Sequence, residues 1–277
     1  MENLATDSKQ QVVPRIPEDL IYIILGHLSK DTHSLQSCAT VSRFWLDATR
    51  PVLFESVTIL LAPKPSPPYD PTAPSEKPAS FFNFLSDTPS VRTLVRTLTF
   101  ANHRCMVWDI VRIVNQLPRL RALKLRHVFI TGSTQKAPIM AHLEYLHIYN
   151  CLVDDSPGYW EPFFDLVNGF SSAKELKIYH VYRWPSDILP DPSSLPASTH
   201  HIKSSVDSLT FSFFGLPPDK ETLIRLMPLH LSLENVTRMS LRTSSNPQCW
   251  IDRALNLRTF HCDVDAIMDC ELNIPNA

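Results

Sequence analysis

Glycine is nearly missing from this chain: 5 residues of 277, against 24 prolines. Glycine is the residue that most easily turns the backbone tightly, so the loops are expected to be stiff and extended instead. Phosphate-cradling loops need closely spaced glycines, and neither GxxxxGK[ST] nor GxGxxG occurs. No CxxC pair is present. Cys38, Cys105, Cys151, Cys249, Cys262 and Cys270 stand singly, most of them within apolar patterns. That pattern reads as buried thiols in a reducing compartment, cytoplasm or nucleus. A basic run is also absent: 26 Lys and Arg face 28 Asp and Glu, which leaves no electrostatic footprint for nucleic acid. The longest apolar run, Leu20 to Leu25, is too short to cross a bilayer, and the first thirteen residues lack the order of a signal peptide. No GxSxG elbow marks a hydrolase nucleophile.

What the chain does have begins at Ile16. Pro17 is suited to a first helical turn, and Glu18 and Asp19 complement the dipole there. Leu20, Ile21, Ile24, Leu25 and Leu28 then form a wide apolar stripe on a short helix. Asp31 and Thr32 are candidate N-caps for a second helix carrying Leu35, Cys38, Ala39 and Val41. Ser42 is positioned to cap a third, with Phe44, Trp45, Ala48 and Leu53 near helical spacing. Three helices this short hold more apolar surface than they can bury among themselves, so a second body is expected against them.

The order Ile16-Pro17-x-x-Leu20, Ile24, Leu28, Leu35-x-x-Cys38-x-x-Val41-Ser42-x-x-Trp45 resembles an F-box. Asp19 stands where that family usually has Glu, Ile16 where Leu is commonest, and Cys38 where a larger aliphatic is usual. The resemblance implies that Pro17, Leu20, Ile24, Leu28, Leu35, Val41 and Trp45 divide between a Skp-type adaptor and the helices' own packing, with the Trp45 indole buried.

A repeat follows. Val95-x-x-Leu98-x-Phe100 is succeeded by Leu120-x-x-Leu123-x-Leu125, Leu143-x-x-Leu146-x-Ile148 and Ala173-x-x-Leu176-x-Ile178. Val206-x-x-Leu209-x-Phe211, Val236-x-x-Met239-x-Leu241 and Leu257-x-x-Phe260-x-Cys262 complete the series. Phe54, Val57 and Ile59 already obey the same spacing. Each set reads as a short strand with alternate side chains inward. Between them lie segments with helical apolar spacing, such as Trp108, Val111, Val114 and Leu117, or Trp160, Phe163, Phe164 and Val167. Strand and helix alternating at this period predict a curved parallel sheet with helices outside.

The LxxLxL core is similar to leucine-rich repeats. The ninth position, usually Asn or Cys in that family, matches only at Cys151; elsewhere it is His103, Val128, Val181, Phe214, Ser244 or Asp265. The asparagine ladder of regular members is therefore missing, and irregular units are expected. The fold class is α/β: a small N-terminal helical F-box followed by an irregular leucine-rich-repeat solenoid. The divisions are a disordered tail over 1–13, the F-box over 14–56, a Pro-rich loop over 62–79 and the repeat domain over 80–277. Trp184 to His201 reads as a further loop, and the last strand is expected to be exposed.

No group of residues passes as an active site. His103-Arg104-Cys105 and His261-Cys262 fall in or beside strands, where single thiols are core residues. Asp154-Asp155 lacks further acids at cation-ligand spacing. The outward residues of the repeats remain, and among them Lys124, Arg126, Tyr145, Tyr149, Lys177, Tyr179, Arg238 and Arg242 are the candidate target-binding set. Their excess of base hints at an acidic or phosphorylated ligand.

The two resemblances together imply a substrate-recognition subunit of a Skp–cullin–F-box ubiquitin ligase. Such a chain has no catalytic residue, metal or cofactor of its own. Its partners are a Skp-type adaptor, through it a cullin, and an unknown protein target; neither nucleic acid nor membrane is expected. The rival reading is a protein-binding repeat scaffold whose opening helices only cap the sheet.

Overall fold

The computed structural model describes residues 16–60, 77–132, 142–154, 160–183, 204–212, 223, 226–228, 231–243 and 248–264. The expected tail over 1–13, the loop over 184–201 and most of the Pro-rich segment lie outside these residues. The chain divides into two compact units, Met1–Phe54 and Glu55–Ala277.

The first unit holds α1 (Glu18–His27), α2 (Thr32–Val41) and most of α3 (Arg43–Glu55). The expected caps are formed. Ser34 N–H donates to Asp31 Oδ1 at 3.1 Å and Ser34 Oγ to Asp31 Oδ2 at 2.6 Å, which together hold the Asp31 carboxyl below its ordinary pKa. Trp45 N–H donates to Ser42 Oγ at 3.3 Å. α3 runs through Pro51 without ending. The ring removes one backbone donor, while two residues earlier the buried Thr49 hydroxyl donates to the Trp45 carbonyl at 2.8 Å. Ile21, Leu25 and Leu35 make the core, packed round by Leu28, Trp45, Ala48, Val52 and Leu53.

The second unit is built on a nine-stranded sheet in the order β1-β2-β4-β6-β8-β10-β12-β13, with β11 beside β10. These strands are β1 (Ser56–Leu60), β2 (Thr97–Ala101), β4 (Ala122–Arg126), β6 (Leu143–Tyr149), β8 (Ser172–Tyr179), β10 (Ser204–Ser212), β11 (Leu231–Ser232), β12 (Arg238–Thr243) and β13 (Thr259–Val264). Every pairing is parallel. The middle residues of the LxxLxL sets form one continuous row: Val57, Leu98, Leu123, Leu146, Leu176, Leu209, Met239 and Phe260 are successive register partners. The sheet therefore begins at Ser56, before the Pro-rich segment, and not at residue 80. The expected end of the Pro-rich loop at residue 79 also moves back. Lys77 opens α4 (Lys77–Asp87), with Pro78 in the first turn, where its missing N–H is no loss.

Among the described residues, the helices that accompany the sheet include α4, α5 (Pro89–Arg92), α6 (Val107–Asn115), α7 (Glu161–Asn168) and α8 (Gln248–Ile251). Ile110, Val111 and Ile113 of α6 and Phe163, Phe164 and Leu166 of α7 are buried together with the inward strand residues. Phe211 of β10 meets Trp250 of α8 at 5.5 Å between ring centres. No helix among the described residues is long and apolar enough to cross a membrane.

Four strands continue round a corner into a second, smaller parallel sheet of β3 (Arg104–Met106), β5 (Phe129–Thr131), β7 (Leu152–Val153) and β9 (Tyr182–Arg183). Here the expectation of loops without tight turns fails. The corner residues Asn102, His127, Asn150 and His180 all have positive φ, between 52° and 57°. Asn and His tolerate this region better than other side chains. Each corner N–H donates to the last carbonyl of the next strand: Asn102 to Arg126, His127 to Tyr149, Asn150 to Tyr179 and His180 to Ser212, at 2.9–3.1 Å. A backbone ladder at the eighth repeat position thus links the units where an asparagine ladder at the ninth was missing. The ninth-position residues His103, Val128, Cys151 and Val181 are fully buried instead.

Asn102 is a clean test of that corner. Asn102→Val is expected to lower stability by about 1–2 kcal/mol, the cost of a β-branched residue in the left-handed region, whereas Asn102→Gly keeps or raises the denaturation midpoint.

Candidate functional site

Two surfaces carry the candidate residues, one on each unit. On the helical unit, Pro17, Leu20, Ile24 and Val41 are exposed, Leu20 by 50% and Val41 by 69%. Leu28 and Trp45 are half-buried against the core, and Leu35 is 1% exposed within it. Leu35 therefore leaves the candidate contact set, because a side chain enclosed by its own helices cannot touch a visitor. The sequence stripe had merged two faces of α1. Ile21 and Leu25 point to the core, while Leu20, Ile23 and Ile24 face out, joined by Ile16, Tyr22 and Phe44. Tyr22 and Ile23 add to the exposed apolar set and were not singled out from the sequence, which read Phe44 only as part of the third helix's apolar side. Their signal was available: apolar residues at consecutive positions 20 to 25 must cover more than one side of a helix.

On the sheet unit, side chains alternate across each strand, so the outward residues also fall into rows. One row runs Thr99, Lys124, His147, Lys177, Thr210, Ser240 and His261; the next runs Ala101, Arg126, Tyr149, Tyr179, Ser212 and Arg242. Lys124, Arg126, His147, Tyr149 and Tyr179, with the corner residue His127, line a depression of about 410 Å³. Tyr145 and Lys177 lie beside it in register. Arg238 and Arg242 do not join: β10 intervenes, two strand spacings of about 5 Å each from β8.

The depression is electropositive. Lys177 is held by Glu175 at 2.5 Å, a bond that raises the Lys177 pKa. Lys124 and Arg126 have no ion-pair partner among the described residues. His147 is half-buried, its Nε2 shielded from solvent with no hydrogen-bond partner among them. Burial lowers its pKa most and the charge of Lys177 lowers it further; Glu175 opposes them, and Lys124 and Arg126 lower it by smaller amounts. Aromatic rings brace the rim. Tyr149 packs edge-on against His127 and His180, each at 5.9 Å, and the Asn150 side-chain amide meets His127 Nδ1 at 2.8 Å.

A second depression of about 340 Å³ lies where the strands begin, lined by Arg96, Arg119, Arg121, His142 and Glu144. The sequence reading missed it, although Arg96, Arg121 and Glu144 each hold the second position of an LxxLxL set, because only the outward residues further along each strand were weighed. Two of its arginines are already engaged, Arg96 with Glu55 at 3.9 Å and Arg121 with Glu144 at 3.6 Å.

The Cys105 and Cys151 thiols are deeply buried, and burial pushes both pKa values up, Cys151 to about 12. They remain protonated and poorly nucleophilic at neutral pH. Asp154 pairs with Arg104 at 3.8 Å. His200, His201 and Asp155 lie outside the described residues. No protein-family model and no curated protein matches this chain.

Proposed function

We propose that this protein is a substrate-recognition adaptor of a Skp–cullin–F-box ubiquitin ligase, its three helices acting as an F-box and its sheet unit as an irregular leucine-rich-repeat solenoid. One observation carries the reading. Among the described residues, the helical unit closes on a core of Ile21, Leu25 and Leu35 while leaving Ile16, Leu20, Tyr22, Ile23, Ile24, Val41 and Phe44 all at least 39% exposed. Apolar side chains gathered on so small a body are the mark of a protein interface. Pro17, Leu20, Ile24 and Val41 belong to the adaptor contact, and the outward rows of the sheet hold the target. Ubiquitin transfer falls to partner enzymes; this chain acts by raising the local concentration of a target lysine.

Co-expression with a Skp-type adaptor is the test. A stable one-to-one complex is expected from the full chain. Leu20→Asp should abolish it while leaving thermal stability within about 0.5 kcal/mol of the parent, because the side chain is already half in water. A chain that folds but never retains the adaptor would favour the rival, a protein-binding scaffold outside any ligase.

A further inference from the structure

We propose that the aromatic depression centred on Tyr149 docks a polyproline-II segment of the target protein that carries an acidic residue close to its prolines. This rests on the target-binding reading of the sheet face and names the class of segment that face selects.

Aromatic rings follow one another round the corner of the sheet. His127 and His180 each meet Tyr149 edge-on at 5.9 Å, Tyr179 stands 6.4 Å from Tyr149, and Tyr182 stacks on His180 at 6.5 Å. Tyr149 is 44% exposed, so the cluster opens to solvent and is not closed into the core. Rings set edge to face leave clefts between them, and the pyrrolidine rings of a PxxP segment fill clefts of this kind. From β8 to β4 is two strand spacings, about 10 Å. One polyproline turn covers about 9 Å in three residues. A proline over Tyr179 therefore sets the residue three places away over Lys124 and Arg126, where an acidic side chain meets both cations.

The polar lining decides which backbone fits. Lys124 and Arg126 only donate, and neither has an ion-pair partner among the described residues. Asn150 Nδ2 donates to His127 Nδ1 at 2.8 Å, which leaves the proton of that neutral ring on Nε2, a further donor. His147 Nε2 is enclosed and out of a ligand's reach. The carbonyls of β4, β6 and β8 are bonded between strands. Among the described lining residues, the tyrosine hydroxyls are what is left to accept. An ordinary extended segment brings a backbone N–H with every carbonyl, and those N–H groups would find few acceptors here. Proline brings the carbonyl without the N–H, and its fixed φ leaves little conformational entropy to lose on docking.

The experiment titrates labelled octapeptides into the full-length chain and reads fluorescence anisotropy. The probe is Glu-Pro-Pro-Pro-Glu-Pro-Pro-Pro; one control replaces every proline by alanine and another replaces both glutamates by glutamine. The proline probe should bind at least about tenfold more tightly than the alanine control, and several-fold more tightly than the glutamine control. Tyr149→Ala should weaken the probe about tenfold or more, the scale of an aromatic anchor at an interface. Tyr149→Phe, which keeps the ring, should retain most of the affinity and guards against a folding defect. Arg126→Met should weaken the glutamate probe and leave the glutamine control unchanged. An alanine control that binds equally well would overturn the proposal, as would Tyr149→Ala of unchanged affinity. So would a phosphoserine peptide without prolines that outcompetes the probe, since charge alone would then be what the depression selects. Adaptor co-purification with Tyr149→Ala separates the two ideas. Failure of the peptides with the adaptor retained sinks only this proposal, while peptide binding without any adaptor complex sinks the ligase reading.

Discussion

Leu35→Ala is expected to unfold the helical unit and to remove adaptor binding with it. Leu35 is 1% exposed and, with Ile21 and Leu25, is one of three enclosed apolar side chains among the unit's described residues. Truncating a buried leucine costs about 2–5 kcal/mol, the lost transfer energy plus the cavity left behind. A body of roughly forty residues seldom holds more than about 3–5 kcal/mol in its core. The change therefore removes most of what keeps α1, α2 and α3 together. Circular dichroism and amide exchange would show those helices opening while the amides of the sheet unit stay protected. The contrast with Leu20→Asp gives the experiment its force. Both substitutions abolish the complex, one by dissolving the unit and the other by spoiling a folded surface. If Leu35→Ala left the helices protected, Leu35 would not be the centre of their packing. Trp45→Ala should fall below the 3–5 kcal/mol of a fully enclosed tryptophan, since the indole is only half-buried against the same cluster.

How much of this could be read in advance follows from which features have a period. The row from Val57 through Leu98, Leu123 and Leu146 to Phe260 was visible because a strand on a core repeats every second residue, and that alternation fixes register as well as face. Outward residues came with it, so Lys124, Arg126, Tyr149 and Tyr179 were placed on one surface before any coordinates. His147 stood in the same row, but its enclosed, unsatisfied nitrogen is something no spacing reveals. The corners were illegible for a different reason. Asn102, His127, Asn150 and His180 are unremarkable polar letters until their backbone is known to be left-handed, and low glycine content argued against tight corners at all. The strands of the second sheet, two or three residues long, are too short to show alternation. In α1 the difficulty was an excess of signal: apolar residues on nearly every side hid which of them the core would take.

Leu146→Ala should be among the most damaging single changes in the sheet unit. Leu146 is 1% exposed and lies between Leu123 and Leu176 in the central row. In a stacked repeat each strand is supported chiefly by its two neighbours, so a defect in the middle weakens both flanking interfaces. The expected loss is about 2–5 kcal/mol. Phe260→Ala removes a larger side chain from the same row, yet β13 is an edge strand among the described residues and Phe260 is only half-buried. Its cost should therefore be the smaller of the two, despite the greater volume deleted. Paired denaturant titrations decide the matter, read as midpoints with unchanged slopes. If the edge substitution proved the costlier, the stacked-repeat account of this sheet would fail, since distance from the centre would then carry no protection.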